Sequence, residues 1–428
     1  VQNIDLFWDY LWDFSDVIGE KGGVILEQAD DVKAARFFPE ARLNYAENML
    51  RRRDDAPAMI FLDETGAERV VTFAGFYEQV SLWQQALKAA GVEKGDRVAG
   101  YMPNMPETVI AMVATASLGA IWSSASPDFG VQGVLDRFGQ IEPKVLVTVD
   151  GYYYNGKTID CVKKLKDIQP GLNGLQKTVV IPFATPDTPL DTLDHNSVTL
   201  SAFLSPYQAA EVAFEPVVFD HPLFIMFSSG TTGVPKCIVH GHGGCLLQHL
   251  KEHRLQCDTN KDDKVFYFTT CGWMMWNWLV TALAAEATLL LFDGSPFYPN
   301  ASVLWDFTTK HDCKLFGTSA KYIDAIKKEG LAPSKTHDLS ALKVMASTGS
   351  PLVHESFDYV YDAIKADLHL ASISGGTDIV SCFVLGNPIS AVWRGEIQGA
   401  GLGMAVDVLD DDGQPCAPGV SGEFVCTK

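Results

Sequence analysis

The sequence is short of basic residues, and it has no close cysteine pair and no long apolar run. Its 33 Lys and Arg stand against 53 Asp and Glu, which gives a formal net charge of −20. This charge disfavours nucleic acid and anionic membranes as partners, because both are polyanions. The nine cysteines never form a C-x-x-C motif, so we expect reduced thiols in the cytoplasm and neither disulfides nor a zinc site. No stretch approaches the length of a membrane span.

The 428 residues exceed a single ordinary core, so two or three subdomains are expected. Helix-like and strand-like segments alternate between residues 72 and 181, and the alternation resumes between 223 and 373 after a proline-rich connection. This pattern predicts mainly parallel sheets covered by helices, in two α/β layers that follow one another along the chain. Short strands with glycine turns follow after residue 394. The apolar, strand-like ending GEFVCTK favours a fragment of a longer protein.

One polar segment comes directly after a predicted buried strand. Residues 223–227 (LFIMF) are continuously apolar, as in a strand that is covered on both faces. Residues 228–233 (SSGTTG) then supply two glycines, four hydroxyls and successive backbone N–H groups, and Lys236 adds a cation. These groups suit a phosphate cradle, although their spacing is not that of a Walker A loop. A polar hairpin turn that satisfies its own backbone is the alternative.

Three further polar turns follow predicted strands, at 271–277 (CGWMMWN), 347–351 (STGSP) and 374–378 (SGGTD). Ligands of open α/β sheets bind beyond the carboxyl ends of the strands, so we expect these turns to share one site with the phosphate loop. Each turn also has an ordinary structural interpretation. Trp273 and the methionines would suit a core, Ser350 and Pro351 would suit a helix start, and Asp378 would suit a turn cap.

The pattern S-S-G-T-T-G-x-P-K at 228–236 resembles the phosphate loop of the adenylate-forming superfamily, which includes acyl-CoA synthetases, adenylation domains of peptide synthetases and luciferases. Longer segments resemble its acetoacetyl-CoA synthetase family: GDRVAGYMPNMPETVIAMVATASLGAIWSS (95–124), GWMMWNW (272–278), SISGGTDI (372–379) and VWRGEIQGAGLGMAV (392–406). The resemblance covers the whole chain. It implies an α/β fold with two stacked sheets in αβαβα layers and a small β-barrel-like subdomain. The implied boundaries are 1–205, 206–393 with the phosphate loop, and 394–428, with the family's C-terminal lid domain absent.

The resemblance also implies roles in ATP binding. Thr377 stands where the family has a threonine that contacts the α-phosphate, and Asp378 stands where it has an acid that binds Mg²⁺. Ser374 replaces an aromatic residue that stacks on adenine in the family. The implied catalytic residues are Thr231, Lys236, Thr377 and Asp378. The residues expected to bind ATP are Ser228, Ser229, Gly230, Thr231, Thr232, Gly233, Lys236, Gly349, Ser350, Pro351, Ser374, Gly375, Gly376 and Thr377.

An acyl pocket is implied in the same way. Gly272 and Trp273 resemble the Gly-Trp pair of acetyl-CoA synthetases, and Gly375 stands where those enzymes have a pocket-closing tryptophan. The missing indole would leave room for a longer acyl group, and the hydroxyl of Thr348 could meet a polar one. The expected pocket residues are Trp273, Met274, Met275, Thr348 and Gly375.

The implied activity is an AMP-forming acid–thiol ligation that uses ATP, Mg²⁺ and coenzyme A. Acetoacetate would attack the α-phosphorus and expel pyrophosphate, and coenzyme A would then displace AMP. The protein would supply alignment and charge neutralisation, with small molecules as partners and no obligate protein partner. Without the lid domain and its lysine, little full synthetase activity is expected. A synthetase for propionate or butyrate, and a nucleotide-binding module that has lost catalysis, are the alternatives.

Two other chemistries are weaker interpretations. His240 and His242 are two residues apart and would share one face of a strand, but no third metal ligand is evident. Cys237 and Cys271 lie near the expected site, but neither has a paired base in the sequence, which disfavours thiol catalysis.

Overall fold

The computed structural model describes residues 3–194, 196–228 and 233–427. Two seven-stranded sheets form its framework, and each is parallel except for one antiparallel hairpin at its edge. In spatial order, the first sheet consists of Ser197–Thr199, Lys177–Ile181, Val145–Val149, Arg97–Tyr101, Ile121–Ala125, Pro222–Phe227 and Cys237–Gly241. The second sheet consists of His369–Ser372, Val344–Thr348, Leu315–Ser319, Lys264–Tyr267, Thr288–Asp293, Pro57–Asp63 and Glu68–Thr72.

Helices cover the sheets and pack between them. The α-helices are Ile4–Phe14, Tyr45–Met49, Phe73–Ala89, Pro106–Ser117, Val131–Ile141, Val162–Ile168, Leu200–Leu204, His242–Lys251, Met274–Thr281, Val303–Lys310, Ala320–Lys328 and His354–Tyr359. Short 3₁₀ turns lie at Gln169–Gly171, Ala282–Ala285 and Pro333–Lys335, and π-helical turns lie at Glu252–Gln256 and Val360–Ile364. Within the described ranges, none of these helices has both the length and the apolar character that crossing a membrane requires.

Local sequence explains where several helices begin. The side chain of Thr72 accepts a hydrogen bond from the backbone N–H of Gly75 and so caps helix Phe73–Ala89. Pro106 occupies the first turn of its helix, where its missing N–H costs nothing. Almost every residue of helix Pro106–Ser117 is buried, as expected for a helix that is apolar on all sides.

Three apolar clusters give the order of the layers. The largest joins Val98 of the first sheet to Leu289 of the second sheet, with Met112 and other helical residues in the same cluster. A second cluster packs helix Val303–Lys310 against the second sheet, and a third packs helix Val131–Ile141 against the first sheet. The predicted α/β fold with two stacked, mainly parallel sheets is therefore confirmed.

The two sheets exchange strands along the chain, which the sequence analysis did not predict. Strand Pro222–Phe227, which precedes the phosphate loop, lies beside Ile121–Ala125 in the first sheet. Strands Pro57–Asp63 and Glu68–Thr72 belong to the second sheet. The expectation of two successive layers, with the phosphate-loop strand in the second, is wrong. Buried apolar strands look alike in sequence, so the apolar pattern does not show which sheet each strand joins. The three domain boundaries stay a prediction.

Short antiparallel strands lie outside the two large sheets. They are Gly19–Glu20 with Arg42–Leu43 and Val217–Val218, Leu26–Glu27 with Arg36–Phe37, Gly151–Tyr154 with Lys157–Asp160, Ser374–Gly376 with Ser381–Leu385 and Gly399–Ala400, and Val406–Leu409 with Glu423–Cys426. The last strands agree with the short strands and glycine turns expected after residue 394. Their closure into a barrel-like subdomain stays a prediction.

Candidate active site

The two ends of the predicted phosphate loop are held together by their backbones. The N–H of Ser228 donates to the carbonyl of Lys236 at 3.1 Å, and the N–H of Lys236 donates to the Ser228 hydroxyl at 3.4 Å. These bonds continue the antiparallel pair Pro222–Phe227 and Cys237–Gly241. Gly233 has φ +89°, a conformation that suits glycine. The predicted ligands Ser229, Gly230, Thr231 and Thr232 lie outside the described residues.

The strand after this loop contacts the predicted α-phosphate segment. His240 Nε2 lies 2.6 Å from the carbonyl oxygen of Thr377, so Nε2 carries the proton and donates it to that bond. Burial lowers the pKa of His240, although the Thr377 carbonyl and the charge of Asp378 act in the opposite direction. The neutral imidazole therefore links the phosphate-loop hairpin to the segment that carries Thr377 and Asp378. Asp378 itself is exposed.

His240 and His242 do not form a metal pair. His242 is the first residue of helix His242–Lys251 rather than part of the strand, and its Nδ1 accepts a hydrogen bond from the N–H of Tyr45 at 3.2 Å. Its side chain is fully buried, and burial lowers its pKa to about 3. Among the residues that the structure describes, no group of three His, Cys, Asp or Glu is placed to hold a metal ion.

The turn formed by Gly349, Ser350 and Pro351, which are expected to bind ATP, adjoins the same segment. Strands Val344–Thr348 and His369–Ser372 are parallel neighbours, so their carboxyl ends meet at one edge of the second sheet. The Thr348 hydroxyl donates to the carbonyl of Ile373 at 3.0 Å. Gly349 follows with φ +86°, and Ser350 and Pro351 are exposed. The next helix begins only at His354, with Val353 at its N-cap position and no side-chain cap, so the interpretation of Ser350 and Pro351 as a helix start is wrong.

Gly375 does not open space for an acyl group in this structure. It lies in the short strand Ser374–Gly376, whose pairing with Ser381–Leu385 shifts register between Ser374 and Gly375. A Cβ atom at Gly375 would lie 2.0 Å from the carbonyl oxygen of Ser381. The missing side chain therefore permits the close approach of two backbones, and the predicted widening of the pocket at this position is wrong.

We expect Gly375→Ala to lower the free energy of unfolding by about 1–3 kcal/mol, the usual cost of forcing an extra methyl group into packed structure. The matched control is Gly376→Ala, because a Cβ there would meet its nearest atom, Asp378 Oδ2, only at 4.0 Å. Urea denaturation of the two variants measures the difference. Equal stability of both variants would contradict the close approach at Gly375.

A cavity of about 70 Å³ opens beside Thr377. Strands Ile121–Ala125 and Pro222–Phe227 contribute apolar side chains such as Trp122, and the turn at 271–273 contributes Trp273. Trp273 is 58% exposed, so it belongs to a wall and not to a core. Met274 and Met275, in contrast, are buried in the central cluster, as their ordinary structural interpretation predicted.

Four polar residues on the cavity wall were not predicted: Ser123, Ser124, Arg137 and Asn277. The guanidinium of Arg137 lies over the ring of Phe129 at 4.7 Å, and burial lowers its pKa. Asn277 lies in helix Met274–Thr281, a segment predicted to be a loop. Asn277 is detectable in the sequence as the one amide in the apolar run MMWNWLV. No comparable signal marks Arg137, because a basic residue on an amphipathic helix usually faces solvent.

A buried polar cluster holds the residues that follow Thr377 and Asp378 in the chain. Glu252 Oε1 accepts hydrogen bonds from the Ser381 hydroxyl at 2.5 Å and the Cys382 N–H at 3.2 Å, and Oε2 accepts from Trp278 Nε1 at 2.8 Å. His249 Nε2 lies 2.6 Å from the carbonyl of Val380. Helix His242–Lys251 and the turn after it thus hold residues 380–382, close in sequence to Thr377 and Asp378. The sequence analysis missed this cluster.

Comparison with known proteins identifies the family. Residues 46–428 match the family described as AMP-binding enzyme. The chain belongs to this family. Among its relatives, the acetoacetyl-coenzyme A synthetase of Rhizobium meliloti (strain 1021) is 56% identical over 422 residues, which cover 99% of this chain and 64% of that relative. The malonamoyl-CoA synthetase of Penicillium aethiopicum is 38% identical over 452 residues, or 98% of this chain and 62% of that relative.

A solved AMP-binding enzyme has the same fold. The structure of acetoacetyl-CoA synthetase from Streptomyces lividans matches this one with a TM-score of 0.92 at 40% identity, over 100% of this chain and 66% of that one. The family and fold inferred from the sequence are thereby confirmed. The chain spans 64% of the length of the Rhizobium relative. The roles of individual residues stay predictions.

Proposed function

We propose that this AMP-binding enzyme activates acetoacetate with ATP to acetoacetyl-AMP and pyrophosphate, for transfer of the acyl group to coenzyme A. The observation that carries the proposal is the junction of the phosphate-loop hairpin with the Thr377 segment through His240, beside a cavity that Thr377 lines. The identity of 56% to an acetoacetyl-coenzyme A synthetase supports acetoacetate as the acid. Magnesium ATP, acetoacetate and coenzyme A would be the partners of the reaction, which we place in the cytoplasm.

The chemistry needs no side-chain nucleophile. A carboxylate oxygen of acetoacetate forms the new bond to the α-phosphorus, and the bond from that phosphorus to the bridging oxygen of pyrophosphate breaks. Lys236 and the loop from Ser228 to Gly233 would neutralise the β- and γ-phosphates, and Thr377 would orient the α-phosphate. The exposed carboxylate of Asp378 fits a magnesium site, because Mg²⁺ takes one or two carboxylates together with phosphate oxygens and water. The ion would add positive charge at the phosphates.

The acyl groups in the names of the relatives favour a β-carbonyl substrate. Acetoacetyl and malonamoyl groups both carry a carbonyl oxygen on the carbon two positions from the activated carboxyl carbon. Propionyl and butyryl groups lack this oxygen. A site that serves such substrates needs a hydrogen-bond donor at a fixed distance from the α-phosphate as well as apolar walls.

The test is calorimetry of the 428-residue chain with AMP and with non-hydrolysable acyl-AMP mimics. We expect the acetoacetyl mimic to bind at least about tenfold more tightly than AMP, because its acyl part buries apolar surface in the cavity. The butyryl and propionyl mimics should bind more weakly than the acetoacetyl mimic. A chain that binds AMP and gains nothing from any acyl group would be a nucleotide-binding module, which would refute the proposal.

A further inference from the structure

A largely buried amide on the cavity wall has no hydrogen-bond partner among the described residues. Asn277 is 3% exposed and lines the cavity, and its side-chain amide makes no hydrogen bond to any of the described residues. Its backbone carbonyl, in contrast, accepts a bond from the Thr281 hydroxyl within the helix. Its amide atoms keep a small exposed surface on the cavity side, so a ligand in the cavity can supply the missing bonds.

Asn277 differs in this respect from the other polar side chains of its helix. The other residues of helix Met274–Thr281 are also buried, and the side chains of Trp276, Trp278 and Thr281 all have hydrogen-bond partners. Trp276 Nε1, for example, donates to Asn104 Oδ1 at 3.0 Å. The protein thus satisfies the neighbouring polar groups of the helix and leaves one amide directed at the cavity.

The position of the cavity connects this amide to the reaction. Thr377 lines the same cavity as Asn277, and in the proposed function Thr377 orients the α-phosphate. An acyl group bonded to that phosphate must extend from it into the adjoining space. The walls of the cavity combine polar groups with apolar side chains, among them Trp122, Phe224 and Met226. A short acyl chain with one polar atom matches such a lining.

We propose that the Asn277 side-chain amide is a specificity determinant that donates a hydrogen bond to the β-carbonyl oxygen of the acyl group. The inference rests on the proposed function and adds to it the residue that distinguishes acetoacetate from butyrate. The two acids have chains of equal length, so cavity volume separates them poorly. A site with a donor for the keto oxygen rejects the analogue that lacks it, because the donor is then left unpaired.

The experiment compares acetoacetyl-AMP and butyryl-AMP mimics by calorimetry on the wild-type chain and on Asn277→Leu, which has a similar size and no polar group. We expect the wild type to prefer the acetoacetyl mimic by about tenfold, the effect of one hydrogen bond of about 1–1.5 kcal/mol. In Asn277→Leu the ratio of the affinities for the acetoacetyl and butyryl mimics should fall to about one. The butyryl mimic should bind as tightly as to the wild type or more tightly. Leu279→Met, a volume-conserving change in the same helix, should keep the wild-type preference.

AMP affinity provides the control for folding, because AMP has no acyl group. Asn277→Ser supplies a second, smaller variant that should also lose the preference. If Asn277→Leu and Asn277→Ser bind AMP normally and still prefer the acetoacetyl mimic tenfold, the role of Asn277 is wrong and the proposed function stands. If the wild type itself does not distinguish the two mimics, both the role of Asn277 and the choice of acetoacetate are wrong.

Discussion

Lowering the pH from 7 to 5 is expected to reduce the free energy of unfolding by about 3 kcal/mol. The cause is three histidines buried in their neutral form, because burial lowers the pKa of His242 to about 3, of His249 to about 4 and of His253 to about 3. In the unfolded chain each titrates near 6.5. Between pH 6.5 and these folded values the unfolded state binds more protons, so stability falls as the pH falls.

The expected loss of stability at pH 5 is the destabilising effect of the three histidines minus the opposing effect of Asp293. Each histidine costs about 2 kcal/mol at pH 5. Asp293 acts in the opposite direction, since burial and the nearby carboxylates of Glu64 and Asp63 raise its pKa to about 7. The folded state therefore holds this proton more tightly than the unfolded state, which offsets about 2 kcal/mol of the loss at pH 5.

Urea denaturation at pH 7, 6 and 5 measures this balance. Asp293→Asn removes the offset, so its stability should fall more steeply with acid than that of the wild type. His354→Gln is the control, because His354 is exposed, and its slope should match the wild type. A stability that stays constant between pH 7 and 5 in all three proteins would show that the histidines are not buried as described.

The sequence predicted the ends of the strands near the site better than the sheet that each strand joins. The strands before three of the predicted polar turns end at residues 227, 348 and 372, close to the predicted ends, because glycine, serine and threonine interrupt continuous apolar runs there, but residues 374–376 form a short strand and not a turn. The strands that end at 348 and 372 are parallel neighbours in the second sheet, so the turns after them meet at one edge as the rule for parallel strands predicts, whereas the loop after 227 follows a strand of the first sheet. The sheet that each strand joins was not predictable in this way, because it depends on contacts between residues far apart in the chain, such as Phe224 with Trp122.

Gly375 and Asn277 show the same limit at the level of single residues. The glycine suggested an empty space, but its missing Cβ is required by the carbonyl of Ser381, which approaches only after the register shift. The amide of Asn277 could be noticed in an apolar run, yet only its place on the cavity wall suggests the role that we propose for it. A sequence specifies the type of side chain, and the three-dimensional fold specifies what that side chain faces.

The largest effect of a single substitution is expected at Glu252. Its carboxylate is fully buried, accepts three hydrogen bonds and lies 3.4 Å from the ammonium group of Lys251, which is also fully buried. Lys251 Nζ makes no hydrogen bond to the described residues. Glu252→Ala leaves this cation unpaired in the core and removes the acceptor of Trp278, Ser381 and Cys382. We expect a loss of about 3–5 kcal/mol in the free energy of unfolding, as found when one partner of a buried pair is removed.

Replacing both charges together separates the ion pair from the rest of the cluster. The double variant with Lys251→Met and Glu252→Leu should be more stable than Glu252→Ala alone, because no unpaired charge remains and apolar residues of similar size fill the space. Glu355→Ala, a change of an exposed glutamate, should cost less than about 0.5 kcal/mol. Urea denaturation at pH 7 measures all three, and a Glu252→Ala variant as stable as Glu355→Ala would contradict the buried pair.

The double variant also tests whether the buried cluster supports the candidate active site. Because Glu252 holds Ser381 and Cys382, and His249 holds Val380, the double variant keeps a filled core but loses two of the bonds that fix the strand after Thr377. We therefore expect the double variant to bind ATP more weakly than the wild type under conditions where both are fully folded. An unchanged ATP affinity would mean that His240 and the sheet edge position Thr377 without the help of this cluster.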